Sequence, residues 1–347
     1  MTTLDNAPDV RQMAANLGLD WRLAPTDAII DYCRNRIAGW VQTSPPIATL
    51  GELESMVCRH LRLVMEDFHT DEELDRLIAR YVAKGEFVFA AQRDGFDSET
   101  FATLIRCDNA TPVCPDQFVA LIDCRGTKAL RRYFTRWHEI AHVLTLVNGQ
   151  MTLPFHRSRV RDPIEKLMDT IAAEIGFYQP IFAPAAAAVL CGYASLGFFG
   201  VDAVRSAVCP AASFEATLYA VIRHSDTPIV TIEAGLEFKN EERRMIEVPG
   251  LFPGLRPEPK LRVIKSSGND AAKRAGLRIH NHMRVPESSV IAALFHNPLL
   301  GGPAGIAKAI ENLADWSSSD GKTLRNRRVA VEAQRRGDHV IAIICPA

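Results

Sequence analysis

The residues best suited to chemistry lie in the run Arg136-Trp137-His138-Glu139-Ile140-Ala141-His142. On a helix, His138 and His142 are i and i+4 and sit one turn apart on one face. Two imidazoles so placed reach a single zinc ion. Glu139 then stands beside the open coordination position, where a carboxylate takes a proton from a water. A catalytic zinc needs a third protein ligand. The run Asp162–Glu174 reads as a second helix and offers three acids, Glu165, Asp169 and Glu174. Glu165 and Asp169 are again i and i+4, so one can bind the metal while the other orients a ligating imidazole through its second nitrogen. Taken by itself Glu165 suits a capping box with Asp162 equally well. Beside the two histidines, the metal reading prevails.

Several elements must position these groups. Apolar spacing predicts two helices within residues 10–40, a third from Leu50 to about Leu63 and a fourth over Asp71–Ala83. Phe87–Ala90, Phe101–Ile105 and Phe118–Ile122 read as short strands separated by turn residues. The last runs into Thr127, a plausible N-cap for a helix from Lys128 to Val147 that Asn148-Gly149 ends. Asp162 and Pro163 open the second metal-bearing helix, Pro180 closes it, and Ala183-Pro184 looks like the start of another. Further on, Pro228–Glu233, Leu261–Lys265 and Ser289–Phe295 look strand-like. Arg328–Ala333 and His339–Ile344, joined by Arg336-Gly337-Asp338, read as a terminal hairpin. This is an α+β pattern.

The run Arg132-Tyr133-Phe134-Thr135-Arg136-Trp137-His138-Glu139-Ile140-Ala141-His142, followed by Glu165, Asp169, Ala172, Ala173 and Glu174, resembles the ImmA/IrrE family of bacterial metallopeptidases. The Glu-x-x-x-Asp spacing also matches the wider gluzincin pattern. The likeness covers roughly residues 10–185, with Trp137 in place of a small residue, Met168 in place of Ala, and the following proline about two residues late. It implies that His138, His142 and Glu165 are zinc ligands, Glu139 the catalytic acid–base and Asp169 the partner of a ligand. It implies a zincin-like domain with a small mixed or antiparallel sheet over 1–185. A helical extension or linker over 186–225 and a GAF-like sensor domain over 226–347 would follow. The activity implied is site-specific cleavage of a partner helix-turn-helix repressor controlling mobile-element, DNA-damage or anti-phage operons, with single-stranded DNA as a trigger in some members. Tyr133, His156, Arg157 and Tyr178 are near enough in sequence to steady an oxyanion, and the Phe101–Ile105 strand could offer its edge to an extended substrate.

A thiolate in the fourth zinc position would displace water and silence the centre. Cys114, between Pro112 and Pro115, is the first candidate for such a brake and Cys107 the second. Cys33, Cys58, Cys191, Cys209 and Cys345 sit in apolar runs and read as buried. Eight cysteines without a Cys-x-x-Cys pair, and a polar start without a signal-peptide pattern, predict reduced thiols in a cytoplasmic protein. No apolar run approaches the ~20 residues of a membrane span. The 347 residues carry a net charge of −1, yet Arg256–Ala347 holds 15 Lys and Arg against 8 Asp and Glu. Within that basic part Arg274, Arg325, Arg327 and Arg328 are candidate nucleic-acid contacts. The reading from another class is a zinc-containing regulator that binds nucleic acid or a partner without proteolysis.

Overall fold

The computed structural model describes residues 4–107, 118–146, 155–157 (backbone only), 162–193, 195–247, 257–317 and 323–347. Among them the chain is α+β, with two small sheets and no closed barrel. It divides into two units, Met1–Val189 with Val204–Thr217, and Leu190–Ala203 with Leu218–Ala347. Residues 186–225 are thus shared between the two units. No described helix is long and apolar enough to cross a membrane.

The first unit opens with α1 (Pro8–Asn16), α2 (Pro25–Thr43) and α3 (Leu50–Leu61), whose apolar stripes bury Val10, Ile29, Ile37 and Leu53 completely. Helix α3 stops two residues short of Leu63, because Arg62 takes a left-handed conformation (φ 53°) and turns the chain into strand β1 (Leu63–Phe68). Helix α4 (Asp71–Val82) starts where its acidic turn predicts, with the Thr70 hydroxyl accepting from the Glu73 N–H. The run Phe87–Ala90 is not a strand but the start of a 3-10 helix, Phe87–Gly95. Residues two apart share one face of a strand, yet Phe89 is buried in a stack on Tyr81 at 4.3 Å and Phe87 is 74% exposed.

Strands β1, β2 (Ala102–Arg106), β3 (Phe118–Asp123) and β4 (Phe155–Arg157) form a mixed sheet in the order β1-β3-β2-β4, with β1 and β3 parallel. The interior place of β2 corrects one expectation. Thr103–Ile105 already pairs with β3 on one side and β4 on the other, so it has no edge to lend a peptide. Residues Gly126–Arg131 form a 3-10 turn held by Lys128 Nζ on Asp123 Oδ2 at 2.7 Å. Helix α5 therefore begins at Arg132 and ends at Thr145, and Thr127 caps nothing. Helix α6 (Pro163–Ile175) is capped as expected, Asp162 accepting from the Ile164 N–H at 2.8 Å. Helix α7 (Gln179–Leu190) starts earlier than Ala183, since the proline that bars one helix suits the first turn of the next. Helices α8 (Phe198–Val208) and α9 (Phe214–Arg223) follow.

The second unit is built on a five-stranded antiparallel sheet of β5 (Val230–Glu237), β6 (Lys260–Gly268), β7 (Ile306–Asn312), β8 (Arg328–Arg336) and β9 (His339–Pro346). Their order is β6-β5-β9-β8-β7. The β8–β9 hairpin turns at Gly337 with φ 63°, as its sequence predicts. Alternate residues Ile232, Ala234, Val331, Ala333, Val340 and Ala342 enter one core, which also buries Trp316. Its described residues also form the short α-helices α10 (Asn240–Glu247), α11 (Asp270–Arg274) and α12 (Val290–His296) and two 3-10 turns, Pro298–Ala304 and Leu313–Asp315. Helix α12 corrects the strand expected over Ser289–Phe295: the Ser289 hydroxyl accepts from the Ile291 N–H and starts a helix. Of the five cysteines read as buried, Cys33 and Cys209 are, Cys58 and Cys345 are half-buried, and Cys191 is exposed.

Candidate metal centre

Helix α5 is fixed along its length by groups distant in sequence. Arg136 donates to Glu54 Oε1 of α3 at 2.8 Å and to Asp67 Oδ1 of β1 at 3.0 Å, and Arg132 adds a bond to Asp67 Oδ2 at 2.6 Å. At the other end, Arg36 of α2 donates to the Leu144 carbonyl at 3.0 Å, filling an acceptor that the helix leaves open. Between these anchors Trp137 and Ile140 are fully buried. Trp137 has room because the neighbouring position is glycine: a Cβ on Gly176 would lie 2.9 Å from the indole ring. Tyr133 donates its hydroxyl to the Gly176 carbonyl.

So held, α5 turns His138, Glu139 and His142 toward α6. His138 Nε2 lies 3.1 Å from His142 Nε2 and 3.0 Å from Glu165 Oε2, and His142 Nε2 lies 3.4 Å from Glu165 Oε1. All three residues are buried, and their ligand atoms lie within 4.8 Å of one another. The group could hold a metal ion. On its other nitrogen, His138 Nδ1 is 2.9 Å from Asp169 Oδ1. An ionised carboxylate only accepts, so this contact puts the proton on Nδ1 and leaves Nε2 for a metal. Burial works against charge on His138, but the hydrogen bonds to Asp169 and Glu165 outweigh it and push the pKa up to about 10. A cation at this position displaces a proton.

Two imidazoles and a carboxylate are a donor set that zinc accepts, and a zinc-bound imidazole commonly gives its second N–H to a carboxylate. The residues present fit that ion. His138 and Glu165, with Asp169, border a cavity of about 120 Å³, into which Glu139 also faces although it is only 1% exposed. The other walls were not singled out in the sequence: Phe101, Phe134 and Thr135, with Glu99, Arg131 and Lys166 at the charged positions. One signal was available. Arg131 and Thr135 precede His138 by seven and three residues, the spacing of a single helix face.

Other sequence candidates lie elsewhere. Glu174 pairs with Arg34 at 2.7 Å. Tyr133 is committed to Gly176, and neither it nor Tyr178 lines the cavity. The side chains of His156 and Arg157, and the whole of Cys114, lie outside the described residues. Cys107, the second choice for a thiolate brake, packs in the cluster of Phe68, Tyr81 and Phe89 and is not among the residues that line the cavity. In the second unit Arg274, Arg325 and Arg328 are exposed, while half-buried Arg327 donates to the Ala275 carbonyl at 2.8 Å.

The fold and the cluster define an α+β protein with a buried group able to hold a metal ion. No protein-family model and no curated protein matches the chain.

Proposed function

We propose that this chain is a zinc-dependent endopeptidase acting on a partner helix-turn-helix repressor. The observation that carries the reading is the convergence of His138, His142 and Glu165 within 4.8 Å of one another, with His138 and Glu165 bordering a cavity that Glu139 also lines. When bound there, zinc would polarise a peptide carbonyl and acidify a water. Glu139 takes the proton of the attacking water and delivers it to the leaving amine. Asp169 holds His138 in the tautomer that leaves Nε2 for the metal. Apolar walls at Phe101 and Phe134 limit water around the reacting groups. The repressor as substrate, single-stranded DNA as trigger, and a stress or defence operon as setting rest on the resemblance carried by Arg132–His142, Glu165 and Asp169.

The second reading, a zinc-containing regulator that binds nucleic acid or a partner without cleaving it, draws on the basic excess after Arg256. One experiment separates the two. The protein is incubated with zinc and the helix-turn-helix protein encoded beside it, with and without single-stranded DNA. The peptidase reading predicts a single cleavage by the native chain and a loss of about a hundredfold or more in Glu139→Gln with zinc still bound. Equal cleavage by Glu139→Gln contradicts it. Zinc and repressor binding without cleavage supports the regulator.

A further inference from the structure

The second unit has a cavity of its own, of about 420 Å³, where the end of β6 meets α11. Its floor is apolar. Val230, Leu277 and Ile279 border it from the core and are 2%, 1% and 4% exposed. Its rim is cationic, formed by Lys273 in the last turn of α11 and by Arg278 and His280. Arg278 and His280 are both exposed on either side of buried Ile279, so they share one side of their segment. No Asp or Glu is among the lining residues.

The rim is held in place before any ligand arrives. The Ser266 hydroxyl donates to the Ile279 carbonyl at 2.6 Å, tying the Arg278–His280 segment to β6. At Gly268 the wall is bare backbone, and a side chain there would come within 3.2 Å of Val230 Cγ2. Lys273 pairs with Asp270 at 2.8 Å, but both side chains are mostly exposed. Such a pair is weak and yields to a stronger anion. Arg327, bonded to the Ala275 carbonyl, brings a further guanidinium to the end of α11. Cations over an apolar hollow match a ligand with a dianionic group on an organic body.

We propose that this cavity binds a small organic phosphate, its body on Val230, Leu277 and Ile279 and its phosphate against Lys273 and Arg278. A nucleic-acid backbone would engage the same cations, but it has no use for a concave apolar floor.

The test is calorimetry on the full chain with three probes: AMP, inorganic phosphate and a thymidine dodecamer. AMP is expected to bind one per chain, at least about tenfold tighter than inorganic phosphate, because only AMP uses the floor. A Lys273→Ala/Arg278→Ala double variant is expected to weaken AMP about tenfold or more while keeping its thermal midpoint. Four results overturn the proposal: no AMP binding, AMP and phosphate binding equally, unchanged affinity in the double variant, or binding of the dodecamer alone. The last would make the surface a nucleic-acid face.

Discussion

Asp169 Oδ1 and His138 Nδ1 lie 2.9 Å apart, across two helices and thirty-one residues of sequence. The contact selects which imidazole nitrogen faces the other candidate ligands. Asp169→Asn keeps the size of the side chain and removes its charge. It is expected to weaken zinc binding about tenfold to a hundredfold, measured by competition with a chelator of known affinity. The thermal midpoint of the metal-free variant should stay close to that of the native chain, since Asp169 is half exposed.

Zinc binding should weaken as pH falls. The ligands bind metal only when deprotonated, and the pKa of His138 is raised, so protons compete increasingly in acid. Apparent affinity measured at pH 6, 7 and 8 should rise at each step, with proton release on binding. An affinity independent of pH and without proton release would contradict the assignment of His138.

Arg136 should matter to the fold. Its side chain and its partners Glu54 and Asp67 are 15–17% exposed, so Arg136→Met leaves Glu54 partly buried without its cation, while Asp67 keeps Arg132. The expected loss is about 3 kcal/mol, read as a lower denaturant midpoint. Restoring charge with Lys should recover only part of it, because an ammonium cannot span both acids in the same fork.

Gly176 is expected to resist enlargement. A methyl group there meets the Trp137 ring inside a filled core, so Gly176→Ala should cost about 1–3 kcal/mol. Trp137→Phe combined with Gly176→Ala should recover part of the loss. A stabilised Gly176→Ala protein would contradict the packing described.

Asp123 gives the first unit a separate acid dependence. Burial alone would raise its pKa, but hydrogen bonds from Arg125 and Lys128 and from the Arg125 N–H bring it below the usual carboxylate range. A depressed folded pKa stabilises above the unfolded value, ~3.9, and the gain disappears as pH falls through the folded value. Thermal midpoints between pH 6 and 2 should therefore drop more steeply in the native chain than in Asp123→Asn, which starts lower at pH 6.

The candidate metal-binding group was legible in the sequence because its information is local. His138 with His142, and Glu165 with Asp169, are each one helical turn apart, and the cap at Asp162 rests on an equally short spacing. What failed to read was set by partners far along the chain. β1 is a strand because β3 pairs beside it, while Phe87–Ala90 lacks such a partner and folds onto Tyr81. The interior place of β2 depends on β4, and Phe101 reaches the cavity wall only through the packing of the whole unit. Ser289 was a readable cap that the apolar run after it concealed.

The central claim is tested most directly by counting zinc. The native chain, loaded with zinc and dialysed, should retain one ion per chain by elemental analysis. His142→Ala and Glu165→Ala should retain well under half of that while keeping their helical circular dichroism. Equal zinc in the native chain and in both variants would contradict the site.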